Sequence, residues 1–163
     1  MFTELERASY PLEYKGEIIR LRYDIAALLR LERRSLSYED IFADRITGAQ
    51  LCAFLEEGGK LPARAEEILR ELGAAEVWQH IRCAVLLSLP KHDPLILDFP
   101  KPEAQPDMKR LRCLVCDIMR KPDSFFWHST LRELLERWQE YAVVKGLAKE
   151  PERMEMFDTE GME

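Results

Sequence analysis

Twenty-three leucines stand against five valines among the 163 residues of this chain. Leucine loses little rotamer freedom in a helix, whereas β-branched valine favours a strand. The bias points to a helical protein. Glycine and proline agree with it, because they fall between the periodic apolar segments, with Gly16 and Gly48 the main exceptions. No internal repeat is visible.

The periodicity places the helices. Ile18, Leu21, Ile25, Leu28 and Leu29 recur as one face of a first helix over residues 13–33. A second follows Ser37, with Ser37 and Asp40 as a capping pair and Ile41, Phe42 and Ile46 as its apolar face. Thr47 with Gln50 is another cap signal, so a break is expected at Gly48. A short helix holding Leu51, Cys52, Phe54 and Leu55 then stops at Gly58-Gly59. Further helices are expected over residues 62–72, ended by Gly73, and over residues 74–89. The second half of the latter, CAVLLSL, is apolar nearly all round and reads as central and buried. Asp107 caps a helix to about Arg120, and the last helix runs from Asp123 or Ser124 to near Gly146. That last helix carries the cleanest stripe: Trp127, Leu131, Leu134, Leu135, Trp138 and Ala142.

Residues 90–106 interrupt this order, holding five of the nine prolines. So long a connection is unusual in a compact domain. It carries Leu95, Ile96, Leu97 and Phe99, and so reads as a strap, lying over the protein's own core or binding a partner. Residues 147–163 hold two basic and six acidic residues, which accounts for −4 of the net charge of −6. The expected organisation is therefore a single helical domain over residues 1–146 and an acidic, flexible tail over 147–163. The fold class is all-α: a compact bundle-like domain of six to seven helices with a long Pro-rich connection.

The charge balance disfavours a nucleic-acid backbone or an anionic membrane as the main partner. The start of the chain lacks the apolar run of a secretory signal, and the most apolar stretch, residues 83–89, is too short to span a bilayer. A soluble, cytoplasmic protein is expected, with Cys52, Cys83, Cys113 and Cys116 as thiols.

Three arrangements bear on chemistry. Cys113 and Cys116 project to the side of their helix opposite Met108, Leu111, Leu114, Val115, Ile118 and Met119. Cys116 has Arg112 four residues before it and Arg120 four after. Guanidinium neighbours favour a thiolate, so Cys116 is a candidate reactive thiol with Cys113 as resolving partner. The competing reading is a packed face carrying small apolar residues. Next, His80 with Cys83 and Cys113 with Cys116 are two spaced pairs that would form a Cys₃His metal site if their helices faced each other. Both pairs would have to rotate into one interface, and no metal or other cofactor is expected. Finally, Arg45 falls among apolar positions and calls for a carboxylate, Asp24 or Asp117, unless it snorkels at a helix edge. His92 beside Asp93 and His128 beside Trp127 suggest no catalytic pair, and no phosphate loop, nucleophile elbow or zincin motif occurs.

The leading functional expectation is a cytoplasmic protein–protein interaction or adaptor module, self-associating, with the Leu95–Phe99 strap as its contact. The alternative is a thiol-dependent enzyme or redox sensor using Cys116 with Cys113. The lower alternative is a helix-turn-helix regulator over residues 47–72, whose second helix, PARAEEILREL, is too acidic to suit a phosphate backbone.

Overall fold

The computed structural model describes residues 9–61, 63–90 and 108–147. Among these residues it is mostly helical, with seven α-helices that follow a β-hairpin. Strand β1 (Tyr10–Tyr14) pairs antiparallel with β2 (Glu17–Leu21), with Leu12 opposite Ile19. Lys15 and Gly16 make the turn, with φ of 48° and 75°. Two successive positive φ values define the tight hairpin turn that matches strand twist. Leu12, Tyr14, Ile19 and Leu21 alternate into the core, while Ile18 faces out at 63% exposure. The expected helix over residues 13–33 is thus corrected in its first half. Ile18 supplied the helical spacing there, yet the period that buries side chains is two.

Asp24 ends the strand region and caps α1 (Ile25–Arg33), accepting a hydrogen bond from the Ala27 N–H at 2.8 Å. Residues after Ser37 form only a 3₁₀ turn, Tyr38–Phe42, in place of the expected helix. The Asp40 carboxylate still accepts the Ser37 N–H at 2.7 Å, so the cap signal is real although the helix does not propagate. Arg45 is exposed, so the expected placing among apolar positions is corrected. The Thr47–Gln50 capping box starts α2 (Gly48–Gly59), as expected. Helices α3 (Ala65–Leu72) and α4 (Ala74–Ser88) are separated by Gly73 at φ 88°. Helix α4 buries Val77, Ile81, Ala84 and Val85, but Leu86 is 52% exposed, so the all-round burial expected there is not found.

Helix α5 (Met108–Arg112) widens into a π turn over Cys113–Ile118. The Met119 N–H reaches back to the Leu114 carbonyl at 2.9 Å, and Arg120 closes the turn at φ 55°. The wider coil turns less per residue than an α-helix. It therefore carries Ile118 out to solvent and Cys116 in against apolar neighbours, altering the projected face. The expected last helix is two: α6 (Asp123–His128) and α7 (Leu131–Val144). Thr130 and Glu133 form a capping box that restarts the chain after Ser129. Helix α7 ends with Gly146 at φ 69°, with paired bonds from Leu147 to Ala142 and from Gly146 to Val143.

The side chains form two cores. One gathers the hairpin, α1, α2, α3 and α4 around Leu12, Tyr23, Phe54, Ile68 and Ile81. The other gathers Ile25, Leu111, Val115, Phe126, Leu131 and Leu134. Leu89 packs against both. Polar bonds cross the seam. The Arg22 guanidinium donates to both Glu133 oxygens, at 2.8 and 2.7 Å, and to the His128 carbonyl at 2.7 Å. Arg132 donates to the carbonyls of Leu86 and Leu89. The Ile25 N–H donates to the Ser129 carbonyl at 3.0 Å. Among the described residues no helix is long and apolar enough to cross a membrane.

Candidate binding cleft

An open cleft of about 240 Å³ lies along this seam, between α1, α5 and α6. Helix α1 presents Ile25, Leu28, Leu29 and Glu32 to it. These positions share one side of a helix at 100° per residue, while Ala27 and Leu31 turn inward to the first core. Phe126 and Trp127 come from α6 and Leu131 from the start of α7. Met108, Lys109 and Arg112 form the α5 wall, and Ser37 and Tyr38 close one end. The lining is mostly apolar, and its charged members among the described residues are Glu32, Lys109 and Arg112.

Asp123 organises the α5–α6 side. One of its oxygens accepts from Arg112 Nε at 2.9 Å and Nη2 at 2.6 Å. The other accepts from Trp127 Nε1 at 3.0 Å. The Arg112 guanidinium stands 5.6 Å from the centre of the Trp127 ring. Asp123 and Trp127 are four apart on one helix, so one carboxylate fixes both the indole and the guanidinium. Asp123 raises the pKa of Arg112 above its ordinary value.

Arg112 and Lys109 also border a second, shallower depression of about 370 Å³ with Cys113, Cys116, Asp117 and Asp123. Cys113 is exposed and Cys116 half-buried. The Cys116 sulfur lies 4.0 Å from the Asp123 oxygen that Arg112 holds. Of the two guanidiniums flanking Cys116 in the sequence, Arg112 donates to Asp123 and also interacts with Cys116, while Arg120, at φ 55°, closes the π turn. The Cys113 thiol is pushed up from its ordinary value, first by Asp117 and then by burial.

The four candidate metal ligands, His80, Cys83, Cys113 and Cys116, are not brought together. His80 and Cys83 lie on α4, where the Tyr10 hydroxyl meets His80 Nδ1 at 3.0 Å and Glu76 lies 3.6 Å from Nε2. Cys83 lies beside the same hydroxyl; burial first, then Cys83, raises the Tyr10 pKa. Cys113 and Cys116 belong to the π turn. Among the described residues no three His, Cys, Asp or Glu side chains gather closely enough to hold a metal ion. His128 approaches Asp24 at 3.9 Å, away from both pairs. Leu95, Ile96, Leu97 and Phe99, like His92 and Asp93, lie outside the described residues.

In the sequence Trp127 falls in the apolar stripe of the last helix and Asp123 marks only a helix start. Their i, i+4 spacing was the available signal, joined to Arg112 at the end of the preceding helix. No family model, curated protein or solved structure matches the chain.

Proposed function

We propose that this protein is a helical interaction module that takes a bulky apolar side chain of a partner protein into the α1–α5–α6 cleft. The apolar lining of the cleft, to which Leu28, Leu29, Phe126, Trp127 and Leu131 contribute, carries the reading. Its size bears on the occupant. A cavity of about 150 Å³ admits benzene, and sites for whole small molecules run from about 300 Å³ upward. About 240 Å³ therefore suits one aromatic or two aliphatic side chains. Partners anchor in this way, with a few buried side chains supplying most of the affinity.

Leu29 offers a clean test, because it lines the cleft and belongs to neither core. The fluorescent dye 1-anilinonaphthalene-8-sulfonate is titrated into the full chain and into Leu29→Glu. The expected result is one saturable site in the wild type, weakened by about tenfold or more in the variant. N-acetylphenylalaninamide should displace the dye and N-acetylserinamide should not. Dye binding indifferent to Leu29→Glu, or equal displacement by the two amides, would overturn the proposal.

A further inference from the structure

We infer that Cys113 and Cys116 form a redox-modified site, closing to an intramolecular disulfide that weakens the neighbouring cleft. The inference rests on the cleft reading above for its consequence, though not for its chemistry.

The argument starts from spacing. Three residues along a helical turn, wide or narrow, place Cα atoms about 5–6 Å apart, inside the range a disulfide bridges. Both cysteines line the same depression, so their sulfurs are offered to the same volume. They differ in access: Cys113 is exposed, whereas Cys116 packs partly against the second core. Cys113 is therefore the sulfur a solute reaches first.

The exchange balances with a low-molecular-weight disulfide as oxidant. The Cys113 thiolate attacks one sulfur of the reagent, and the reagent's own S–S bond breaks. A mixed disulfide forms and one small thiolate leaves. Cys116 then attacks the Cys113 sulfur and releases the second small thiolate. The two cysteine protons end on the two released thiols, and the protein is oxidised by two electrons. Asp117 beside Cys113 keeps that thiol protonated further up the pH scale, so the first step quickens as pH rises.

The effect on the cleft follows from Asp123. In the reduced chain Cys116 packs partly against the second core and offers its S–H to the oxygen that holds Arg112. A bond to Cys113 draws the sulfur toward the exposed depression and removes that S–H. Lys109 and Arg112 form the α5 wall of the cleft and also border the depression that the cysteines line, and Arg112 is joined directly to Cys113 where the π turn begins. The bridge thus acts on the wall through a rigid half-turn of backbone.

Trypsin cleavage after Arg112 and Arg120 releases residues 113–120 as one peptide holding both cysteines and neither of the others. The full chain is equilibrated with mixtures of oxidised and reduced glutathione and digested, and a parallel sample is titrated with the dye. Expected is a loss of two hydrogens in that peptide, reversed by reductant, with dye affinity falling about fivefold or more on oxidation. Cys116→Ser should accumulate glutathione on Cys113, and Cys113→Ser should show slower capture at Cys116. No loss of two hydrogens, or faster capture at Cys116, would overturn the disulfide site. A disulfide that leaves dye affinity unchanged, in a chain whose dye binding still depends on Leu29, would overturn the control of the cleft. Dye binding independent of Leu29 would instead remove the cleft reading and leave the thiol chemistry to the mass measurement.

Discussion

Gly58→Ala should destabilise the protein, although alanine is the better helix former. Gly58 is the penultimate residue of α2. A Cβ at that position would stand 2.4 Å from Tyr23 Cζ, 2.6 Å from its oxygen and 2.7 Å from Cε1. Ordinary carbon contacts are about 3.5–4.0 Å, so the overlap is about 1 Å. Neither side yields easily. Tyr23 is fully buried, donates its hydroxyl to the Phe54 carbonyl at 2.7 Å and meets the Phe54 ring edge-on. The helix end is pinned as well, because the Gly58 carbonyl accepts the Arg22 N–H at 3.0 Å.

Relief requires the tyrosine ring to move about 1 Å, which costs its buried hydrogen bond, about 1–3 kcal/mol. Repacking around the added methyl costs about another 1–3 kcal/mol. The propensity gain of alanine over glycine returns at most about 1 kcal/mol. A net loss of about 1–5 kcal/mol is expected, centred near 3, read as a lower urea midpoint by far-ultraviolet circular dichroism at unchanged slope. Gly59→Ala is the control. Its nearest contacts are 3.1 Å to Leu61 and 3.2 Å to Leu21, both terminal methyls, and it should lose less than about 1 kcal/mol. Tyr23→Leu combined with Gly58→Ala should show a favourable coupling above about 0.5 kcal/mol. A Gly58→Ala chain as stable as the wild type would refute the reasoning, since propensity alone would then govern the site.

Two further outcomes follow from the same contacts. Glu133→Gln keeps the shape of the side chain but leaves the Arg22 guanidinium, 15% exposed, without its carboxylate; about 2–3 kcal/mol should be lost in urea unfolding. An unchanged midpoint would show that the seam does not depend on this pair. Tyr23→Phe should lower stability at pH 7 by about 1–2 kcal/mol through the lost Phe54 bond. Burial raises the folded-state pKa of Tyr23 above its ordinary value of 10.0, so the unfolded chain ionises first as pH climbs past that value. Wild-type stability therefore carries a loss above pH 10 that the phenylalanine variant lacks, and the gap between the two should narrow between pH 7 and pH 11. A gap constant with pH would contradict the burial.

Local signals proved legible where the physics is local. The Thr47–Gln50 box, the Ser37–Asp40 pair and Gly73 are each satisfied by a few neighbouring atoms, and each stands where the sequence placed it. Competing periods defeated the reading of residues 13–21. Ile18 and Leu21 fit a helical face, while Leu12, Tyr14, Ile19 and Leu21 fit a strand, and the Lys15–Gly16 turn decides for the strand. The stripe from Trp127 to Trp138 hid the break at Ser129, although Thr130 with Glu133 was the same cap signal recognised at Thr47. The π turn is a different case. Nothing in CLVCDI departs from ordinary helix composition, and the widening that turns Ile118 outward and Cys116 inward is visible only in the packed chain.

The cleft could not be read from the sequence because it belongs to no single element. Helix α1 serves three surroundings with three parts of its circumference: Ala27 and Leu31 in the first core, Ile25 in the second, and Leu29 in the gap between them. A helix shared in this way leaves a groove along its length wherever the two cores close around their own side chains before meeting. The spacing of the two cores beside the groove is then held by polar bonds between them, made by residues that do not line it. Arg22 with Glu133 and Arg132 with the α4 carbonyls hold the second core at a fixed distance from the first, and Arg112 on Asp123 fixes the far wall. Charge-assisted bonds of this kind specify geometry more than they add stability. Such a seam keeps an apolar floor open without the collapse that would bury it. That is the physical basis for proposing a binding site there.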